Sequence, residues 1–78
     1  MTPRVREYVR IEAKAIGTTP RRVMGPSHKP KDVLARRKVW RRLRDDGFTT
    51  TQIGKWTNRD HSTVVVGLQR LALREAAQ

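Results

Sequence analysis

The sequence predicts an all-α domain, a compact bundle of about five helices containing a helix-turn-helix. Three observations carry the all-α expectation. Threonine, proline and glycine punctuate the 78 residues at helix-length intervals. The apolar residues between these marks recur at three- and four-residue spacing, and no stretch alternates apolar with polar residues as a half-buried strand would. The chain has no cysteine, so a domain this small must be held by packing, without disulfides or a thiolate metal site. With 36% hydrophobic residues gathered in short amphipathic runs, residues 1–78 are expected to form one folded domain rather than a basic disordered tail.

Thr2-Pro3 reads as an N-cap followed by proline at the first helical position, and Gly17 as the stop, with Val5, Tyr8, Val9, Ile11 and Ile16 on the apolar side of this first helix. Thr19-Pro20 repeats the start signal. Gly25 ends a short second helix anchored by Val23 and Met24, with Met24 read as core. Residues 25–31, GPSHKPK, hold two prolines, a glycine and two lysines, which predicts a basic loop whose backbone cannot continue a helix. A third helix is expected from Asp32 to Asp46, ended by Gly47. Ala35, Val39, Trp40 and Leu43 share one face, while Arg37, Lys38, Arg41 and Arg44 point away from it. Taken alone these four charges are a solvated face; with the basic loop they would line a phosphate track.

After Gly47, Phe48 is expected to pack back on the core, and one of Thr49, Thr50 or Thr51 to cap a fourth helix running through Trp56. Thr57-Asn58-Arg59 leaves room only for a tight turn. A fifth helix begins at Asp60 and carries Val64, Val65, Leu68, Leu71 and Ala72 on one side at helical spacing. Trp40 and Trp56 each sit beside apolar residues and read as packing residues rather than stacking platforms.

Eighteen Lys and Arg stand against seven Asp and Glu, a formal net charge of +11. That is the electrostatic footprint of a partner with regularly spaced negative charge, and nucleic acid leads. A surplus this large in so small a domain argues against a merely solvated surface. An anionic membrane is disfavoured because no helix sets one basic face against a broad Trp/Phe/Leu face. No apolar run approaches the ~20 residues of a membrane span, and the N-terminus lacks a secretory signal, so a cytoplasmic, nucleoid-associated location is expected.

The stretch NRDHSTVVVGLQRL, residues 58–71, sets an acid, an imidazole and two hydroxyls before an apolar helical run. A short helix, a tight turn and a longer helix with a polar first turn make a helix-turn-helix, here over residues 50–73, in which the second helix offers its N-terminus to the DNA major groove. Such an end presents free N–H groups and partial positive charge to phosphate. An Asp there can accept from cytosine N4, Ser or Thr can bond several base edges, and His or a Thr methyl can touch a thymine methyl. The same Asp is also a good N-cap, which is its simpler reading when taken alone.

QIGKWTNRDHSTV, residues 52–64, resembles the E-I-G-x-x-F-G-G-R-D-H-T-T-V signature of the C-terminal DNA-binding domain of the bacterial replication initiator DnaA. The likeness extends more weakly over residues 5–71, including Lys29-Pro30-Lys31, which is similar to a basic R-P-R step. What it implies is a Trp-repressor-like helix-turn-helix with Asp60, His61 and Ser62 as major-groove base readers and Thr63 and Arg59 near the DNA backbone. Lys29 and Lys31 would sit in a loop that enters the minor groove and grips phosphate, and Arg70 stands where the family has a basic residue. The chain departs from the pattern in several places. Its turn is one residue shorter, Ser62 lacks the usual Thr methyl, Lys replaces Arg in the loop, and Val66-Gly67 stands where the family has His-Ala. Lys cannot reproduce Arg's planar contacts, so the preferred DNA sequence need not be the initiator's. These residues hold no G-x-x-x-x-G-K-[ST] loop, so ATP-driven origin melting is not expected of this chain alone, and the expectation is either a stand-alone phage-type or bacterial regulator of transcription or replication or an excised fragment of a longer protein.

Other functional classes find less support. Asp60, His61 and Ser62 are adjacent and fan out around a helix start, so they cannot align as nucleophile, base and orienter; no catalytic residue is expected. Two histidines without cysteines predict no metal site, and nothing points to a small-molecule cofactor. Single-stranded nucleic acid would want more exposed aromatics than two Trp, one Tyr and one Phe. The expected partner is double-stranded DNA, bound by a monomer. The alternative is a protein-interaction module that modulates or antagonises a host replication or transcription protein through the third helix's basic face or the Leu73–Gln78 tail.

Overall fold

The computed structural model of the protein describes residues 2–78. Five helices follow in order: α1 (Pro3–Ile16), α2 (Pro20–Met24), α3 (Pro30–Asp45), α4 (Thr50–Trp56) and α5 (His61–Ala76). No strand occurs among the described residues, and the fold is an all-α bundle. Side chains start most of the helices. Thr2 Oγ1 accepts from the Val5 amide, and Thr19 Oγ1 from the Arg22 amide. Thr49 forms a reciprocal box with Gln52, each side chain taking the other's backbone amide, which satisfies two donors that a helix start leaves orphaned.

α3 is the central element and packs against all four other helices. Its Ala35, Val39, Trp40 and Leu43 meet Val5, Val9 and Ala13 of α1, Val23 of α2, Ile53 of α4 and Val64 of α5 in one core. Phe48 and Trp56 close its edge ring against ring, 4.8 Å apart and nearly perpendicular. At the centre, the Trp40 indole N–H donates to Thr57 Oγ1 at 3.2 Å, and that hydroxyl donates to the Ile53 carbonyl at 2.8 Å. This chain of bonds ties α3 to the end of α4.

The structure corrects the expected layout in three places. α3 starts at Pro30, not Asp32, because proline is pre-shaped for a helix's first position even though it stops a helix elsewhere. The loop is therefore residues 25–29, and Lys31 belongs to the first turn of α3. Ile11, expected on the apolar side of α1, is 40% exposed, and Ala72 of α5 is also exposed. Their places inside are taken by residues that periodicity does not mark. Glu12 is buried and accepts from Arg42 Nε at 2.5 Å, and Gly67 is buried against Trp40.

Two further buried charges organise the α2–α3 corner. The Asp32 carboxylate, 1% exposed, accepts from Thr18 Oγ1, from Ser27 Oγ at 2.6 Å and from Arg22 Nε at 3.1 Å. The hydroxyls of Ser27 and Thr18, which outweigh burial, and then Arg22 hold its pKa down at about 2. Arg36, 6% exposed, donates to the carbonyls of Val23, Gly25 and Ser27 at 2.8, 2.9 and 3.0 Å. Burial, and then the neighbouring Arg59 charge, lower its pKa. A guanidinium serves here because its planar fork can satisfy several carbonyls that end α2 and shape the following loop.

Candidate nucleic-acid interface

Residues 57–60 join α4 to α5, with Thr57 capping the end of α4 and Asp60 the start of α5. The turn closes when the Arg59 amide donates to the Gly54 carbonyl at 2.8 Å. Asn58 takes the left-handed conformation, φ 55°, which its short polar side chain tolerates. A Cβ on Gly54 would lie 2.5 Å from the Arg59 carbonyl oxygen and 3.3 Å from the His61 amide, so glycine allows the backbone of the turn to lie directly on α4.

Asp60 caps α5. Its Oδ1 accepts from the Ser62 amide at 2.8 Å and from the Ser62 hydroxyl at 2.7 Å, and these bonds, the hydroxyl's first, lower its pKa. Both are made by one oxygen. Oδ2 makes no hydrogen bond among the described residues, and the side chain is 68% exposed. Capping and accepting a hydrogen bond from outside are therefore compatible in this residue. Because the Ser62 hydroxyl spends its proton on Asp60, its oxygen is left to act as an acceptor. His61, Ser62 and Thr63 are exposed in the same first turn.

The other residues singled out by the sequence take different positions. Arg59 is half-buried and turned inward: its guanidinium donates to the carbonyls of Thr57 at 3.1 Å, Asn58 at 3.2 Å and Gly25 at 2.5 Å. It fastens the α4–α5 turn to the α2–α3 loop, which brings Lys29's loop and the start of α5 to one side of the molecule. Lys29 is exposed at the cap position of α3 without a side-chain cap bond. Lys31 diverges from it, its ammonium 3.9 Å from where a Cβ on Gly17 would sit, at the negative C-terminal end of α1.

Between α3 and α5 runs an open groove of about 460 Å³, bordered by His28, Arg37, Arg59, Ser62, Thr63 and Arg70, with no carboxylate in its lining among the described residues. Arg37 is half-buried in it; burial, then the charges of Arg70 and Arg74, lower its pKa. Three guanidinium groups thus crowd one flank of α5. Sequence alone places Arg37 on a solvated face and gives Arg74 no distinction. The available signal is the seven- and four-residue spacing of Thr63, Arg70 and Arg74, which puts them on one side of a helix, but it becomes a cluster only because Gly67 lets α3 lie close.

The α5 face opposite the core is a ridge of Ser62, Val66, Gln69 and Leu73, all exposed. At 100° per residue these four point within a narrow arc, away from buried Val64, Gly67 and Leu71. Arg70 and Arg74 flank the ridge on the α3 side.

Compared with family models, curated proteins and solved structures, the chain finds no match in any of the three.

Proposed function

We propose that this protein binds double-stranded DNA selectively, through a helix-turn-helix formed by α4, residues 57–60 and α5. The observation that carries the reading is the exposed polar first turn of α5, standing beside a carboxylate-free groove on whose flank Arg37, Arg70 and Arg74 crowd together. Guanidinium groups crowded together with no carboxylate beside them are poised for an anion, and a phosphate backbone supplies anions at regular intervals. In this reading Asp60, His61 and Ser62 meet base edges in the major groove, with Asp60 Oδ2 and Ser62 Oγ as acceptors suited to cytosine N4 or adenine N6. Thr63, Arg70, Arg37 and Arg74 follow one phosphate wall. Lys29 reaches the neighbouring phosphates or minor groove from the loop, and Arg59 contributes charge while bracing the turn. The resemblance of residues 52–64 to the DnaA C-terminal domain supports the same assignment, and a regulator of transcription or replication is the role it suggests.

Enrichment of random duplexes on the protein, followed by anisotropy titration of the best site against a scrambled duplex, tests the reading. His61→Ala and Ser62→Ala should each cost about 1–3 kcal/mol on the best site and much less on the scrambled one. No enrichment and no salt-sensitive duplex binding would end the proposal. Binding to a replication protein without binding to DNA would point to the interaction module.

A further inference from the structure

Val66 is 43% exposed, on a helix face whose other members nearest the N-terminus are polar. Its position is informative. It lies four residues beyond Ser62 on the outward ridge of α5, about 6 Å further along the axis, and Ser62 and Val66 share the rim of the α3–α5 groove. It takes no part in the core, which α5 serves with Val64, Gly67 and Leu71 from the opposite side. A branched apolar side chain held partly exposed on a helix can offer apolar surface to a flat apolar partner. In the major groove one such partner exists, the C5-methyl of thymine.

We infer that Val66 is a specificity-determining residue that reads the C5-methyl of a thymine one helical turn beyond the base edges facing Asp60 and Ser62. The inference rests on the DNA-binding reading and adds to it the chemical identity of one base. The contact is apolar. Cytosine, which lacks the methyl and presents an N4 amine, would leave Val66 against a polar group with no partner, so discrimination arises from both the gain and the penalty. Leu73 lies on the same ridge and is more exposed, at 70%, but seven residues further on. That is about 10 Å more along the axis and out of reach of the same base pair.

The test replaces each thymine of the best duplex in turn by deoxyuridine, which removes only the methyl group. At one position the native protein should bind about fourfold more weakly, the factor equivalent to ~0.8 kcal/mol for one buried methyl-sized group. Val66→Ala should bind the thymine and deoxyuridine duplexes equally at that position while retaining sensitivity to changes at the bases facing Ser62. Val66→Thr, of nearly the same shape, should fall between. Leu73→Ala should leave the ratio as in the native protein and serves as the control for lost apolar surface. Because Val66 lies outside the core, circular dichroism and thermal unfolding of Val66→Ala should match the native protein. Indifference of the native protein to every deoxyuridine, or a ratio that persists in Val66→Ala, overturns the inference while selective DNA binding stands. Absence of any selected duplex overturns both.

Discussion

Replacing Gly67 by alanine probes the contact on which the α3–α5 groove depends. A Cβ at this position would lie 2.3 Å from Trp40 Cζ3 and 2.9 Å from Cε3, well inside contact distance. The indole cannot step aside easily, since it is 3% exposed and its N–H is held by Thr57. Two effects compete. Alanine in a helix interior gains about 1 kcal/mol over glycine, whereas overpacking a filled core costs about 1–3 kcal/mol. With an overlap this deep against a rigid ring, the upper end of the penalty applies, for a net loss of about 2 kcal/mol. In a domain of this size that lowers Tm by roughly 8–16 °C. Urea and thermal unfolding of Gly67→Ala, Trp40→Leu and the double variant form a cycle. The alanine should be neutral or stabilising by up to about 1 kcal/mol once the indole is gone, giving a coupling of about 2–3 kcal/mol. A Gly67→Ala protein as stable as the native one, or single effects that simply add, would refute the contact. It would also remove the steric reason for glycine at the position where the DnaA pattern has alanine.

Three other outcomes are expected. DNA binding should weaken with salt, with log K falling by about 4–5 per log unit if four to six phosphates are met; Lys29→Ala should reduce that slope by about one, and Lys31→Ala by less, since its ammonium turns toward the end of α1. Equal effects of the two lysines would count against the loop geometry. Asp60→Asn keeps the cap and should retain binding to scrambled duplex while preference for the best site drops about tenfold, because the acceptor that excludes non-donating bases is gone; an unchanged preference would leave Asp60 a cap alone. Asp32→Asn should lower stability near neutral pH. With a folded pKa of about 2 against an ordinary 3.8, the unfolded chain takes up the proton first as pH falls, so the native advantage is present above about pH 4 and is lost as pH falls through about 2; urea midpoints that differ by the same amount down to pH 2 would refute this.

Helix boundaries are legible where a residue acts through its own backbone neighbours. Thr2-Pro3, Thr19-Pro20 and Asp60 all start helices in the expected places. Pro30 misleads because proline as a terminator and proline as an initiator look alike until the next turn is known to be helical. Buried charge is illegible for a different reason. Asp32 and Arg36 are ordinary members of a basic helix in the sequence, and only the folding of α2 against α3 brings Thr18, Arg22 and Ser27 to the first and the carbonyls of Val23, Gly25 and Ser27 to the second. Arg59 stands out in the sequence for its charge, yet its geometry is decided by a carbonyl thirty-four residues away. The outward ridge of α5 is readable from its three- and four-residue spacing. Val66 is hidden in it because an apolar residue inside an apolar run is assigned to the core by default.

Four of the acids are paired away from the groove between α3 and α5. Glu12 is spent on Arg42, Asp46 on Tyr8 and Arg4, Glu75 on Arg41 and Asp32 on Arg22. Each of those pairings removes a cation from the free pool, and none of the four acids lines the groove between α3 and α5. Asp60, the acid at the start of α5, is engaged through one oxygen with Ser62. Arg37, Arg70 and Arg74 are among the cations that none of these acids pairs, and they stand on the flank of the same helix whose first turn carries the short acceptors. Under the proposed function an approaching duplex would be drawn to that flank by long-range attraction and sorted by Asp60, Ser62 and Val66 only at contact, so variants of the arginines should lower affinity and variants of the three contact residues should lower selectivity.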